Sequence, residues 1–453
     1  MKNEKFPMFA EFYASPTLSS VPDPNFITAF AYKMSDIPSE LFHNILCRVP
    51  SAESLFLWRG VCKSWRRIID DPAFIKSHIK HHQSSSSTSL GQLLVRNENG
   101  GRLSSLSLDS INFVDRHQTI VETQVKNLIR RSVPRLTTLP VASCHGLVLL
   151  SHDEAKKIWV LWNPLTQEYY DLPECGADLH LEGCGLGYDI LNDDYKVVRI
   201  NRIFLNREIV HRTLIYSLKF NSWKWIKDCP GDLGIHSQGL YLNGALYWLS
   251  SNFMSSNFII VLDLSTEDYH QLPLPSLDTK RMVDRKMNLD VLGGCLVLSC
   301  IYSHNYMRER LYGWEMKDDG GNVSWTKLFS FEESDDNFLG CMRKTLRPIT
   351  YSKSNRRVLL QCDHEFFWLN TDDNCAKKVR IHGLRGSFSG SFSCQVWQAS
   401  LFRLGDVVGA KRIERVKKRR RAKKRLQLEV TITEASEWSD SGFSCYSSEG
   451  EDY

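Results

Sequence analysis

Several features that define large protein classes are missing from the sequence. No run of about 20 apolar residues is present to cross a membrane as a helix, and residues 1–9 lack the apolar stretch of a signal peptide. The 13 cysteines are scattered and form no Cys-x-x-Cys pair, so we expect reduced thiols rather than a disulfide framework. These absences predict a soluble intracellular protein that has no membrane contact.

Catalytic and metal-binding signatures are also missing. There is no Gly-x-Ser-x-Gly elbow, no Walker A loop and no His-Glu-x-x-His pair, and the glycine-rich stretch Gly183–Gly187 lacks the lysine of a phosphate loop. Zinc needs paired ligand spacing, which is absent from the neighbouring set Cys144, His145, Cys175, His180 and Cys184. We therefore expect no enzyme, no metal and no other cofactor.

Positive charge is concentrated near the C-terminus. The stretch Lys411–Arg425 holds eleven basic residues and one acid, Glu414, a local charge of +10 that leaves −5 on the rest of a chain whose total is +5. The body of the protein therefore does not favour nucleic acid binding. The basic run predicts nuclear import. The alternatives are that it contacts nucleic acid or an acidic partner, or that it is a solvated charged helix. The import candidates are Lys417, Lys418, Arg419, Arg420, Arg421, Lys423, Lys424 and Arg425.

An acidic segment follows the basic run. Residues 429–453 contain seven acids and no Lys or Arg, a composition that predicts a disordered tail. We hypothesise that this tail folds back on the basic run and masks it. The two segments together predict a protein of the nucleus and cytoplasm.

Composition divides the chain into five segments. Residues 1–32 show no clear period and are predicted to be a flexible arm, and residues 33–82 have helical spacing. Residues 83–89 are a serine-rich linker, and residues 90–405 consist of short apolar runs separated by Gly, Asn and Asp turns, which is typical of β structure. Residues 406–453 form the charged, disordered tail.

The β segment repeats. A short strand followed by a polar turn recurs at Leu108, Asn163, Ser217, Asp263, Glu315 and Asn370, with steps of 55, 54, 46, 52 and 55 residues. A period of roughly 50 is typical of kelch-type propeller blades, and these positions predict six of them. The alternative is an irregular β-sandwich in which the spacing arises by chance.

The helical segment has a broad apolar face. Leu41, Ile45 and Val49 follow the spacing of one helix face, Pro50 stops that helix, and Gly60 separates two short helices further on. Three helices in about 45 residues cannot bury this apolar surface alone. The segment is therefore either a cap on the β domain or a free module that binds another protein, and the serine linker favours the free module.

Two sets of motifs resemble known families. Ile37–Pro50 followed by Val61–Arg66 resembles an F-box, with Ile37 in place of the usual leucine. Cys144–Val148, Trp162–Thr166 and Gly185–Asp189, continued by Asp194–Arg199, resemble the plant F-box-associated, kelch-like domain. Within the second set, Gly187-Tyr188-Asp189 is interpreted as a strand start with a turn. The two resemblances cover residues 34 to about 405.

The resemblance implies an α+β multidomain protein with a three-helix F-box, an all-β six-bladed propeller-like domain and a disordered charged tail. The F-box would dock on the Skp-family adaptor and, through it, on cullin and RING subunits, as the substrate-recognition subunit of an SCF-type ubiquitin ligase. The β domain would bind an unknown protein substrate for ubiquitination and proteasomal degradation. The alternative is a non-ligase F-box scaffold or nuclear regulatory protein that uses the basic tail. Adaptor contact is carried over to Pro38, Leu41, Ile45, Leu46, Val49, Pro50, Leu57, Val61, Cys62 and Trp65.

Overall fold

A computed structural model gives the arrangement of most of the chain between residues 39 and 408. The described residues are 39–84, 91–97, 103–108, 111, 119–122, 126–127, 138–152, 159–175, 180–205, 208–231, 233, 237–250, 258–276, 284–304, 308–319, 322–332, 346–352, 356–362, 365–372, 376–382 and 392–408. The predicted arm, most of the serine-rich linker, Pro38 and the charged tail beyond residue 408 lie outside them.

Four helices form the described part of the N-terminal module, where the sequence predicted three. They are α1 (Ser39–Cys47), α2 (Ala52–Trp58), α3 (Lys63–Ile69) and α4 (Pro72–Ser84). The side chain of Ser51 accepts a hydrogen bond from the Ser54 amide at 3.1 Å and caps α2, and Gly60 lies in the turn before α3, as predicted. The difference lies at Pro72, which begins a 13-residue helix rather than a last turn, because proline is well suited to the first helical position.

The remainder is almost entirely antiparallel β structure. The strands are β1 (Gln92–Asn97), β2 (Leu103–Ser107), β3 (Thr119–Glu122), β4 (Lys126–Asn127), β5 (Thr138–Cys144), β6 (Leu147–His152), β7 (Trp159–Asn163), β8 (Glu168–Asp171), β9 (His180–Asp189), β10 (Asp194–Leu205), β11 (Glu208–Ser217), β12 (Ser222–Trp225), β13 (Ser237–Leu242), β14 (Ala245–Leu249), β15 (Phe258–Asp263), β16 (Tyr269–Pro273), β17 (Asp284–Leu292), β18 (Cys295–His304), β19 (Arg308–Asp319), β20 (Asn322–Glu332), β21 (Leu346–Tyr351), β22 (Arg357–Cys362), β23 (Glu365–Asn370), β24 (Ala376–His382) and β25 (Phe392–Trp397).

These strands form five sheets of four, eight, four, five and four strands. The eight-stranded sheet, β12-β11-β10-β9-β13-β14-β15-β16, is two four-stranded meanders joined by a short parallel pairing of β9 with β13. The five-stranded sheet adds β3 in parallel to the outer edge of β24. In the sheet β25-β1-β2-β4, the last strand of the described residues pairs with the first, with Gln92 opposite Trp397.

Apolar clusters join the first sheet, β25-β1-β2-β4, to two others. Its Leu94 and Trp397 pack with Trp162 of the sheet β5-β6-β7-β8, and its Leu93 packs with Trp368 of the five-stranded sheet. The first sheet therefore contacts sheets that are both early and late in the sequence. Because β1 and β25 pair in this sheet, the strand pairing of the β domain depends on residues about 300 positions apart.

The sequence repeat has a structural cause in one recurring turn. After the third strand of successive meanders, the side chains of Asn163, Ser217, Asp263 and Asn370 accept a hydrogen bond from a backbone amide two or three residues later, at 2.8–3.2 Å. The marker Glu315 lies inside β19 instead, so this copy of the repeat was aligned wrongly. Leu108 directly follows β2 and is buried.

A second unit of the chain begins at residue 403, and its described part contains the short helix α5 (Leu404–Val407). Within the described residues, no helix has the length and apolar character to span a membrane. The same part of the chain holds no group of three or more His, Cys, Asp or Glu residues arranged to bind a metal ion. The ten cysteines that the structure describes are free thiols.

Candidate functional site

Trp65 lies at the centre of the helical module. Its ring centroid is 5.1 Å from that of Phe42 and 5.8 Å from that of Trp58. The guanidinium of Arg59 lies 5.0 Å from the centroid of Phe56 and is fixed by Asp70, which accepts from its Nη2 at 2.8 Å. Because Trp65 is only 7% exposed, its main role in the isolated chain is to hold α1, α2 and α3 together.

The residues predicted to contact the adaptor differ widely in exposure. Leu41 is 57% exposed and Leu57 is 73% exposed, and Pro50 is also exposed. Ile45, Val61 and Cys62 are partly buried, whereas Leu46, Val49 and Trp65 are buried inside the module. Adaptor contact by these residues remains a prediction, and Leu41 and Leu57 are the most accessible of them.

The module is packed against the β domain, so the expectation that the linker leaves it free is wrong. Leu401, which follows β25, belongs to the buried core of the module, and Leu165, Ala399 and Phe402 pack against that core. The module alone is too small to bury its apolar surface, and the β domain supplies the missing contact. The N-terminal module and the β domain therefore share one apolar cluster.

Two polar contacts lie beside this shared core. Lys76 of α4 forms an ion pair with Asp193 in the β9–β10 turn, and Asp193 also accepts a hydrogen bond from the hydroxyl of Tyr188. Gln92 at the start of β1 donates to Glu53 of α2 at 3.3 Å. Burial, followed by the hydrogen bond to Asp193, raises the pKa of Tyr188 well above its usual range, so this phenol stays protonated as a donor.

Neutral histidines surround a small cavity at the same junction. The cavity has a volume of about 80 Å³, and its lining includes Glu53, His78, His82, His145 and Ser400. His78 Nε2 donates to the carbonyl of Val49 at 2.9 Å, and burial lowers the pKa of His78 to about 4. Burial also lowers the pKa of His145 to about 4 and lowers that of His82. The cavity wall therefore carries no imidazolium at neutral pH.

A buried ion-pair network lies behind the β9–β10 turn. Lys196 Nζ lies 2.8 Å from Asp189 Oδ2, 2.8 Å from Glu267 Oε1 and 2.6 Å from the carbonyl of Leu264. Burial would raise the pKa of Asp189, but hydrogen bonds, first from Lys196, outweigh it and hold that pKa at about 2. The Gly187-Tyr188-Asp189 motif lies at the end of β9, so the prediction of a strand start is wrong. Through Lys196, the carboxylate of Asp189 connects the β9–β10 turn to the β15–β16 turn.

The opposite end of the sheets carries a different set of connections. The helical module contacts the β5–β6 turn at His145, the β7–β8 turn at Leu165 and the β9–β10 turn at Asp193. These turns follow the first or the third strand of a four-stranded meander. Because successive strands run antiparallel, the loops after second strands lie at the other end. The longest described hairpin there, β10–β11, exposes Phe204 (73%), Leu205 (47%) and Ile209 (49%) near its tip.

Sequence reasoning missed the residues that build the junction. Lys76, Asp193 and His78 carry no motif, and Gln398–Phe402 reads as an ordinary connection. The one available signal was Asn163 in the Trp162-Asn163-Pro164 motif. Its buried side chain caps the β7–β8 turn and also donates through Nδ2 to the carbonyls of Ser400 and Phe402, at 3.0 and 2.7 Å.

Comparison with known families agrees with this architecture. Residues 34–77 match the F-box domain, and residues 98–403 match the F-box associated beta propeller domain. The helical module and the β domain thus define an F-box protein with a C-terminal propeller domain. The second match covers more than half of the chain, which therefore belongs to the plant F-box proteins that carry an F-box associated domain. Both predicted resemblances are confirmed.

The relatives are plant proteins of similar organisation. The chain is 28% identical to the F-box protein CPR1 of Arabidopsis thaliana over 387 residues, which is 79% of this chain and 87% of that relative. It is 29% identical to the F-box/kelch-repeat protein At3g23880 over 65% of this chain and 79% of that relative. It is 24% identical to the F-box protein At4g22390 over 81% and 90% of the two chains. All three are Arabidopsis proteins.

Proposed function

We propose that this protein is the substrate-recognition subunit of an SCF-type cullin–RING ubiquitin ligase. The observation that carries the proposal is an F-box domain that keeps Leu41 and Leu57 exposed while its other large apolar residues are packed. F-box domains typically bind Skp1-type adaptors. In such an interface a few apolar anchors supply most of the binding free energy.

In this function the chain performs no covalent chemistry. The adaptor links the F-box to the cullin and RING subunits, and the β domain holds the target. A target lysine is then kept close to the ubiquitin-charged conjugating enzyme, so that an encounter between separate molecules becomes an event within one assembly. The target becomes marked for proteasomal degradation.

For the β domain we propose a six-bladed propeller whose target-binding surface lies opposite the F-box. The five sheets contain six four-stranded units when the eight-stranded sheet is divided at its parallel pairing and β25 is counted with the first unit. The exposed apolar residues Phe204, Leu205 and Ile209 make the β10–β11 hairpin the best candidate for target contact.

A binding assay with purified Skp-family adaptor tests the proposal. The test variant is Leu41→Ala with Leu57→Ala, and the matched control is Leu191→Ala, which removes an 81% exposed leucine from the β9–β10 turn. We expect the double variant to lose at least about tenfold in affinity and the control to bind like the wild type. Absence of binding by a folded wild type would instead favour the non-ligase scaffold.

We also propose that the basic run directs part of the protein to the nucleus. A fluorescent fusion in which all eight import candidates are changed to Ala should shift toward the cytoplasm; they are Lys417, Lys418, Arg419, Arg420, Arg421, Lys423, Lys424 and Arg425. Deletion of residues 429–453 should increase nuclear accumulation if the acidic segment masks the run. An unchanged distribution in both variants would rule out this role for the tail.

A further inference from the structure

The segment Gln398–Phe402 follows the closing strand β25 and runs between the two domains. Ser400 is 3% exposed and Leu401 is 4% exposed, so the segment is buried although it has no regular secondary structure. Asn163, itself fully buried, donates to the carbonyls of Ser400 and Phe402 and thereby fixes the backbone at two points. A Cβ atom at Gly146 would lie 2.1 Å from that of Ser400, so only glycine leaves room for the segment.

The side chains of this segment contact both domains. Leu401 belongs to the buried core that contains Phe42 and Trp65 of the F-box. The ring of Phe402 packs against the same core and lies 4.7 Å from the ring of Tyr195 in the β domain. The contacts Lys76–Asp193 and Glu53–Gln92 hold the F-box to the β domain at separate positions. Contacts at several separate points restrict rotation as well as separation.

We propose that Gln398–Phe402 is a strap that locks the F-box at one orientation on the β domain and so fixes where the ligase can deliver ubiquitin. The second part rests on the proposed ligase function. In a proximity mechanism, the effective concentration of a lysine at the conjugating enzyme depends on the distance between the adaptor-bound F-box and the target-bound β domain. A domain on a flexible tether samples many separations, whereas a strapped domain presents the same few lysines each time.

The variant Asn163→Asp tests the strap with little change in shape. An aspartate at position 163 keeps the oxygen that accepts from the amides of Leu165 and Thr166, but it replaces the amide donor with an oxygen that repels the carbonyls of Ser400 and Phe402. The matched control is Asn370→Asp, since Asn370 caps the corresponding β23–β24 turn through an oxygen that accepts from the Asp372 amide.

The first readout is the distribution of distances between the domains. Dyes are attached through unnatural amino acids at Ser64 of α3 and Lys317 of β19, which are both exposed, and single-molecule energy transfer is measured on the full chain without adaptor. We expect one narrow distribution for the wild type and Asn370→Asp, and a distribution at least about twofold wider for Asn163→Asp. A narrow distribution for Asn163→Asp, or a wide one for the wild type, would overturn the strap.

The second readout is the pattern of ubiquitin transfer to the protein's own lysines. In a complex with purified adaptor, cullin, RING subunit and charged conjugating enzyme, mass spectrometry should find a few modified lysines in the wild type and more in Asn163→Asp, with equal adaptor affinity. An identical pattern of modified lysines, together with a widened distance distribution, would overturn the role of the strap in ubiquitin delivery.

Failure of the wild type to bind adaptor would contradict the ligase function while leaving the distance result intact. Leu401→Ser provides a second variant if Asn163→Asp does not fold.

Discussion

At the scale of single residues, burial separates structural from binding roles within one motif. Trp65 and Leu57 both belong to the F-box, yet Trp65 is 7% exposed and Leu57 is 73% exposed. A motif shows which residue types recur together, but it does not show which of them face solvent. The motif therefore predicted the F-box correctly, but it gave the buried Trp65 and the accessible leucines the same contact role.

Truncation of these two residues should affect different properties. Trp65→Ala removes a ring that packs on Phe42 and Trp58, so we expect a loss of about 3–5 kcal/mol in the free energy of unfolding. Leu57→Ala should change stability by no more than about 0.5 kcal/mol because the side chain lies in solvent. Urea unfolding monitored by tryptophan fluorescence measures both, and equal losses would contradict the assignment.

His78 should make stability depend on pH. Its pKa of about 4 in the folded chain lies below the ordinary 6.5, so the unfolded chain binds the extra proton between these values. The contribution of His78 to the free energy of unfolding is fully present above pH 6.5. It is lost as the pH decreases toward 4, by up to about 3 kcal/mol. His82 and His145 should act in the same direction.

The exchange His78→Gln isolates this contribution. Glutamine stays neutral over the whole range, so the melting temperature of the variant should decrease less between pH 6.5 and 4.5 than that of the wild type. The same exchange at exposed His270 of β16, far from His78 in the sequence, serves as the control and should leave the wild-type slope unchanged. Parallel pH profiles for the wild type and His78→Gln would show that another group is responsible.

At the scale of elements, short sequence patterns predicted the turns, whereas they could not predict contacts between residues far apart in the sequence. The third-strand turns at Asn163, Asp263 and Asn370 are built by residues two or three positions apart, and the repeat in the sequence marks them. The contact of Asn163 with Ser400 spans 237 residues and leaves no local pattern. Likewise, the serine-rich composition of the linker predicted a free module. That prediction failed because the contacts of Leu401 and Lys76, which hold the module to the β domain, leave no mark on the linker sequence.

Arg347 of β21 joins three sheets through one buried ion pair. Its Nη2 and Nε lie 3.0 Å from Asp290 Oδ1 of β17, and its Nη1 donates to the carbonyl of Cys394 in β25 at 3.2 Å. The carboxylate of Asp290 raises the pKa of Arg347 above its ordinary value. Burial raises the pKa of Asp290 to about 6 although Arg347 opposes this shift, so removal of Arg347 would leave an unpaired buried carboxyl that must take up a proton at neutral pH.

We therefore expect Arg347→Ala to cost about 3 kcal/mol or more in the free energy of unfolding. The double variant Arg347→Met with Asp290→Leu removes both charges and should recover most of that loss, because the unpaired carboxylate is then absent. Lys377→Ala in the exposed part of β24 controls for the loss of a cation. Chemical denaturation measures all three, and a double variant no more stable than Arg347→Ala would contradict this role of the pair.

At the scale of the whole molecule, one strand closes the β domain and continues into the F-box contact. β25 pairs with β1, and the residues after it pack in the F-box core. A chain that ends at residue 391 should therefore lose both the first sheet and the junction, and we expect a broad, weakly cooperative thermal transition. A chain truncated after residue 408 retains every described element and should melt like the full protein; a similar sharp transition in both would contradict this dependence.

Ubiquitin transfer in a reconstituted complex tests the central claim most directly. The full chain is combined with purified adaptor, cullin, RING subunit and charged conjugating enzyme, and modification of its own lysines is followed over time. The ligase account predicts modification of the wild type and of Leu191→Ala, and a loss of at least about tenfold in the Leu41→Ala, Leu57→Ala variant. Stable adaptor binding without any ubiquitin transfer would contradict the account and favour an F-box scaffold that acts outside a ligase.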